Sequence, residues 1–278
     1  MIQDIAPHMY HNEYRPAAPD KDSIALYYET HVCLLTQTAS GIQFPRFRDL
    51  ETLNNHIYKD ATYLFTIDDV RYYLVDDISR EPHSNFTLAN IEIFRVVIPQ
   101  YRAFAGITGY QLYEWYKNHK YCGCCGSLLR KDDKERMLYC DQCRIEEYPT
   151  INPATIIAVT HGNRILLSKY AGRAYKKYAL LAGYVEIGET VEETIHREVM
   201  EEVGLKVKNI RYYKSQPWSF SGTVLMGFYC DLDGDEDITL DHNELSLAEW
   251  FERDEIPVEP SRDSLTNEMI MKFKNNEI

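Results

Sequence analysis

Three glutamates crowd the stretch Arg197-Glu198-Val199-Met200-Glu201-Glu202, and their spacing suits a cation site. Glu198 and Glu202 stand four residues apart, so on a helix they lie one above the other with Glu201 beside them. Like charges so placed repel by about a few tenths of a kcal/mol per pair. Near a helix C-terminus the macrodipole disfavours them further. A hard divalent cation removes both penalties, and oxygen-only donors select magnesium or manganese. Arg197 can pair with a neighbouring carboxylate and hold its rotamer. The plain alternative for a Glu-rich helix is a solvated acidic face.

A second constellation is built from thiols. Cys122-x2-Cys125 and Cys140-x2-Cys143 are two knuckles separated by fourteen residues. Two such pairs facing each other make a tetrahedral four-sulfur site, the geometry zinc favours. Gly126 helps the first turn close, and the Cys-x2-Cys-Gly order favours Cys122 and Cys125 over Cys124 as ligands. Four thiolates leave no open coordination position, so this zinc stabilises a fold and does not catalyse. Clustered cysteines, seven in all, read as metal binding in a reducing compartment and not as a disulfide framework.

The elements that must position these groups follow from periodicity. Thr190 and Glu193 form a capping box, Gly204 sits where a helix ends, and Val191, Ile195, Val199 and Val203 repeat every four residues. This predicts a helix over 191–203 with the carboxylates on the face opposite the apolar stripe. Strands are predicted at 154–159, 164–167, 178–182, 207–213 and 223–230, and a last helix at 265–273. Residues 1 to about 108 read as mostly β, with apolar runs at 31–36, 61–67, 72–75 and 91–98 and a hairpin at Asp68-Asp69. A short helix over about 109–120 leads into the cysteine segment. His8, His11, His31, His56 and His83 are scattered at spacings that fit no metal template.

At 278 residues, with a formal net charge of −13 and a pI near 5.2, the chain has material for two or three domains and does not suit a protein that grips nucleic acid by neutralising phosphates. It lacks an apolar run long enough to span a bilayer and a secretory signal, so no membrane partner and a cytoplasmic location are expected.

The stretch from Gly183 to Leu205 reads Gly-x5-Glu-x7-Arg-Glu-aliphatic-x-Glu-Glu-x-Gly-aliphatic, and resembles the Nudix box at every specified position. The resemblance implies an α+β chain: a β-rich N-terminal domain (1–118), a zinc ribbon (119–148) and a Nudix α/β/α sandwich domain (149–278). A ribbon directly before a Nudix domain is similar to the NADH pyrophosphatase branch, which also removes NAD caps from RNA. The segment Ser215-Gln216-Pro217-Trp218-Ser219-Phe220-Ser221-Gly222-Thr223 resembles that branch's Ser-Gln-Pro-Trp-Pro-Phe-Pro-x-Ser, with Ser219 and Ser221 replacing prolines and Thr223 a serine.

What this resemblance implies is specific. Gln216, Pro217, Trp218, Ser219, Phe220, Ser221, Gly222 and Thr223 form a substrate loop, although packing is the other reading of its aromatic residues. Tyr148, before Pro149, reaches substrate across a homodimer. Thr150 stands where many members carry arginine. Tyr184 stacks on a nicotinamide ring, and Thr266 contacts substrate through its main chain. Magnesium or manganese is held by Glu198, Glu201, Glu202, Glu244 and the Ala182 carbonyl. The catalytic set is Glu198, Glu201, Glu202 and Arg197, with either Glu201 or Glu202 accepting the proton of the attacking water. The implied substrate is NAD(H), split into nicotinamide mononucleotide and AMP, with the 5′ end of NAD-capped RNA as a related one. Two other readings stay open: a broader nucleoside diphosphate-X or triphosphate pyrophosphatase, and a non-catalytic Nudix ligand sensor whose ribbon binds nucleic acid.

Overall fold

Along Asn152–His161 successive side chains enter different cores: Ile157 and Val159 one, Ile156 and Ala158 the other. A strand buried on both faces must be sandwiched, and the computed structural model shows what covers it. The structure describes residues 1–51, 56–76, 78, 85–172, 176–261 and 264–278, so His83 lies outside the described residues. The chain divides into two units. One holds Met1, Ile151–Trp218 and Gly222–Ile278; the other holds Ile2–Thr150 and Ser219–Ser221.

The first unit is a six-stranded mixed sheet. Its strands are β1 (Asn152–His161), β2 (Arg164–Tyr170), β3 (Leu181–Tyr184), β4 (Val207–Trp218), β5 (Thr223–Leu232) and β6 (Leu245–Glu252), in the order β4-β5-β1-β2-β6 with β3 also beside β1. Only β1 and β5 run parallel; the other pairs are antiparallel. Helix α1 (Val191–Val203) packs Ile195, Val199 and Val203 on one face, and α2 (Leu265–Lys274) packs Leu265, Met269, Ile270 and Phe273 on the other. This is the expected α/β/α sandwich.

Boundaries differ from the sequence reading where local signals mislead. The strand expected over 178–182 lies at Leu181–Tyr184, and Ala179 makes only an isolated bridge to Ser168. β4 runs on to Trp218, because irregularities between Lys208 and Arg211 and between Tyr212 and Lys214 shift its register without ending it. Pro217 sits within it without disrupting the ladder, since β4 is an edge strand. β6 was not expected at all; its half-buried pattern carries no run of apolar residues.

In the second unit Thr62–Ile67 and Val70–Leu74 form the expected hairpin, with Asp68 in the left-handed region at φ 52°. Val32–Thr38 is central to another sheet, paired with Tyr28–Glu29, Gly41–Gln43 and Thr87–Asn90. Two expectations fail here. Residues 91–98 are not a strand: Ile91–Arg95 is a single-turn helix, started by the Asn90 side chain accepting from the Glu92 N–H and burying Ile91 and Phe94 three residues apart. The helix expected over 109–120 spans Gln100–Asn118. Gly106 and Gly109 masked its first half, and they are needed for packing. A Cβ at Gly106 would stand 2.4 Å from the Phe94 ring. Among the described residues no helix is long and apolar enough to cross a membrane.

Gly106→Ala therefore sets two effects against each other. Helix propensity favours alanine by about 1 kcal/mol, and overpacking against Phe94 opposes it by about 1–3 kcal/mol. A net loss of stability is expected, read as a lower urea midpoint at unchanged slope; a raised midpoint would show that the ring yields freely.

Candidate active site

Helix α1 is held at both ends. The Thr190 hydroxyl accepts from the Glu193 N–H at 3.2 Å, the Glu193 carboxylate accepts from the Thr190 N–H at 2.8 Å, and Gly204 closes the far end at φ 70°. The helix rests on the sheet along two rows. Ile195, Val199 and Val203 form the apolar one, and Thr194, Glu198 and Glu202 lie beside it, with Glu198 9% and Glu202 2% exposed. The carboxylates are thus not on the opposite, solvated face. Adjacent positions turn by about 100°, so a row shifted by one residue still meets the sheet. Glu201 is exposed.

Room for this row comes from β3. A Cβ on Gly183 would stand 1.8 Å from the Glu198 carboxyl carbon, so only glycine lets the carboxylate lie there. Thr155, cross-strand from Gly183 and fully buried, donates its hydroxyl to the Gly183 carbonyl at 3.3 Å.

Arg197 organises the surrounding charge. Its Nε and Nη2 donate to Glu189 at 2.6 and 3.0 Å. Nη1 donates to Glu198 at 2.7 Å and to Glu201 at 2.9 Å, and Nη2 reaches the Tyr184 carbonyl at 3.0 Å. Glu189 also accepts from the Thr194 hydroxyl and the Glu186 N–H, and the Arg197 contact above all holds it down to about 2. Glu198 is pushed the other way, first by burial and further by Glu201 and Glu244, with Arg197 opposing. A buried row of hard oxygen donors in an acidic surround, cradled by a glycine, fits divalent cations.

The four ribbon thiols meet as the spacing implied. Their sulfurs lie within 4.8 Å of one another, Cys125 and Cys140 at 3.5 Å. Each knuckle is closed by a left-handed residue, Gly126 and Arg144, whose N–H returns to the carbonyl of Cys122 or Cys140 at 2.9 and 2.7 Å. Cys124 stays exposed, outside the set. Among the described residues no carboxylate group closes as tightly, since Arg197 stands between its glutamates. The ribbon is fastened within its own unit: Arg136 donates to Asn12 and the Leu64 carbonyl, and Lys131 to Thr62.

The remaining expected residues fall in three places. Ala182 and half-exposed Tyr184 are on β3 beside the carboxylate row, and Glu244 immediately precedes β6. The segment 215–223 is a hairpin rather than a loop, with Gln216 opposite Leu225, Pro217 opposite Val224 and Trp218 opposite Thr223. Gln216 is fully buried and its Oε1 accepts from the Leu265 N–H at 2.7 Å, beside Thr266 at the start of α2. Pro217 is exposed, Trp218 and Gly222 half-buried, Thr223 buried. Ser219, Phe220 and Ser221 belong to the second unit, where Ser219 is buried, Ser221 exposed, and Phe220 packs on its core with the Arg95 guanidinium 4.0 Å from the ring. Tyr148 lies in that unit too, exposed, its hydroxyl donating to Glu135 at 2.7 Å. Sequence reasoning missed the Gly183 cradle and the Gln216–Leu265 bond. The first is hidden inside the box, and the second joins residues too far apart for any local signal.

The chain is similar to two curated proteins, each described as NAD-capped RNA hydrolase NudC. That of Enterobacter sp. (strain 638) is 41% identical over 162 residues, 58% of this chain and 62% of the relative. That of Klebsiella pneumoniae (strain 342) is 40% identical over 162 residues, 58% of this chain and 63% of the relative. The matched part therefore spans less than two thirds of either relative's length. Among solved structures, a NUDIX hydrolase from Nitrosomonas europaea aligns at 24% identity and a TM-score of 0.49, covering 57% of this chain and 92% of that one. Residues 150–272 match the NUDIX domain family, and with an unbroken box on a capped helix inside an α/β/α sandwich, this part of the chain is a Nudix domain.

Proposed function

We propose that this protein is a metal-dependent pyrophosphohydrolase that splits NAD(H) into nicotinamide mononucleotide and AMP, and that removes NAD caps from RNA. The observation that carries the reading is the pair Glu198 and Glu202, buried side by side on α1, with Glu198 seated against Gly183. The substrate class rests on the 40–41% identity to proteins described as NAD-capped RNA hydrolases.

Glu198, Glu201, Glu202, Glu244 and the Ala182 carbonyl would hold magnesium or manganese. Bound there, such ions neutralise the substrate phosphates and lower the pKa of a water. Glu201 or Glu202 then accepts the proton as water attacks one phosphorus in line and the bridging oxygen leaves with the other mononucleotide. Arg197 acts through others: with all five N–H groups engaged, it orients Glu198, Glu201 and Glu189 and ties them to the Tyr184 carbonyl. Tyr184 and Trp218 offer ring faces for the base-bearing ends. Residues 1–118 serve as scaffold, 119–148 as a zinc-stabilised ribbon and 149–278 as the catalytic part. The reading extends to a cytosolic location and to a homodimer, for which Tyr121 and Leu128, bridged across the first knuckle and both exposed, offer apolar surface. A ligand sensor with a nucleic-acid-binding ribbon is less well supported. Arg136 and Lys131 are spent inside their unit, and Arg130 pairs with Asp141.

NADH should yield AMP and reduced nicotinamide mononucleotide in equal amounts, with higher kcat/KM than ATP. Trp218→Ala or Tyr184→Ala should narrow that preference, while Glu202→Gln lowers both activities at least about a hundredfold with the fold intact by circular dichroism. A higher kcat/KM for ATP, or unchanged turnover in Glu202→Gln, would refute the reading.

Protein purified without chelators should carry about one zinc per chain. Cys140→Ser should lose that zinc and melt at lower temperature, while residual activity keeps its dependence on added magnesium. Elemental analysis finding no zinc in the parent protein would overturn the structural-zinc assignment.

A further inference from the structure

The segment that carries Glu244 is fastened to the helix that carries Glu198 and Glu202. The last turn of an α-helix leaves carbonyls unsatisfied, and a distant stretch takes up two of them. The Thr239 N–H donates to the Val203 carbonyl at 2.9 Å, and the Asp241 N–H to the Glu202 carbonyl at 3.0 Å. Asp241 then opens a turn. Its carbonyl accepts from the Glu244 and Leu245 N–H groups at 3.2 and 2.9 Å, and its carboxylate accepts from the Asn243 main chain and side chain, both at 2.9 Å. Leu245 enters the core with Val199 and Val203, and the Ala171 N–H donates to the Glu244 carbonyl at 2.8 Å. The main chain at Glu244 is therefore gripped from the helix end and from the sheet.

Gly204 is where this attachment is most sensitive. A Cβ there would stand 2.9 Å from the Thr239 Cβ and 3.3 Å from its hydroxyl. A glycine that merely ended the helix would answer to its φ of 70° alone; this one also sets how closely the Thr239–Asp241 segment approaches.

We infer that Gly204 and the Thr239–Asp241 segment are positioning residues that set the distance between Glu198 and Glu202 on the helix and Glu244 beyond it, so that the carboxylates close on divalent cations as one group. The inference rests on the metal-binding reading proposed above. Orienting groups of this kind typically change metal affinity tenfold to a hundredfold.

The test titrates Mn2+ into the zinc-loaded full chain, following free Mn2+ by electron paramagnetic resonance, with thermal unfolding recorded in its absence. Gly204→Ala should weaken Mn2+ binding by about tenfold or more. Adding Thr239→Gly, which makes room for the methyl but leaves the φ strain in place, should restore most of the lost affinity. Unchanged Mn2+ affinity in a Gly204→Ala protein that only melts earlier would overturn the inference, and so would a loss that Thr239→Gly does not relieve. Should Gly204→Ala fail to fold, Asp241→Ala, which opens the turn before Glu244, is expected to weaken binding while Asp241→Asn keeps it; Asp241→Ala binding like the parent chain overturns the inference. If the parent chain binds no Mn2+, or Glu202→Gln binds it as well, the metal-binding reading fails instead.

Discussion

Two carboxylates withdrawn from water are the constraint around which the first unit is arranged. Moving a charged group into a protein interior costs several kcal/mol even after relaxation, against about 1 kcal/mol or less for an exposed ion pair. Glu198 and Glu202 nevertheless lie against the sheet, and Glu202 does so in the last turn of α1, where the helix dipole opposes it. The apolar row of Ile195, Val199 and Val203 supplies the burial that holds the helix down. The carboxylate row is carried into the interface with it, one residue round. One guanidinium serves Glu189, Glu198 and Glu201, so this cluster keeps a net negative charge. Under the proposed reading, cations complete this arrangement.

Arg197 explains why the rest of the box is needed. Its contact to Glu189 is two-pronged, and Glu189 is itself held by Thr194 and the Glu186 N–H. The loop between β3 and α1 is thereby tied to the helix's second turn, and the Tyr184 carbonyl is drawn in by the same side chain. Gly183 permits the approach and Arg197 fixes it. Neither residue could be replaced by one of similar size or charge: any Cβ at 183 meets Glu198, and a lysine in place of Arg197 lacks the planar fork that spans two carboxylates.

What was legible in the sequence was local. The limits of α1, its capping box and its glycine stop agree with expectation because each signal lies within one turn of what it specifies. The sulfur cluster was legible for the same reason, since a knuckle is a four-residue object. The face bearing Glu198 and Glu202 is not legible in the sequence, because charge alone points to water and tertiary packing carries both side chains inward. The helix at Gln100–Asn118 was cut short because Gly106 and Gly109 weaken its propensity, and only Phe94 and Leu26, distant in sequence, explain them. The bond from the Leu265 N–H to the Gln216 side chain at the start of α2 joins residues far apart in sequence, and no local signal announces it.

A strongly acidic chain with a negatively charged site repels a pyrophosphate unless cations intervene. At a net charge of −13 the long-range field repels an anionic substrate, and screening at physiological ionic strength confines that repulsion to about 8 Å. Within that range, under the proposed reading, bound ions would reverse its sign. On that reading the charge that attracts phosphate would come from metal and depend on its concentration, and selectivity would fall to neutral surfaces such as the rings of Tyr184 and Trp218. The ribbon follows the same economy of charge. Arg130, Lys131 and Arg136 are taken up by Asp141, Thr62, Asn12 and the Leu64 carbonyl, and Lys131 and Arg136 thereby hold the cysteine-bearing segment to the β-rich part of its unit. Under the proposed reading an RNA would be recognised by its cap, the one part that carries two bases and a pyrophosphate together.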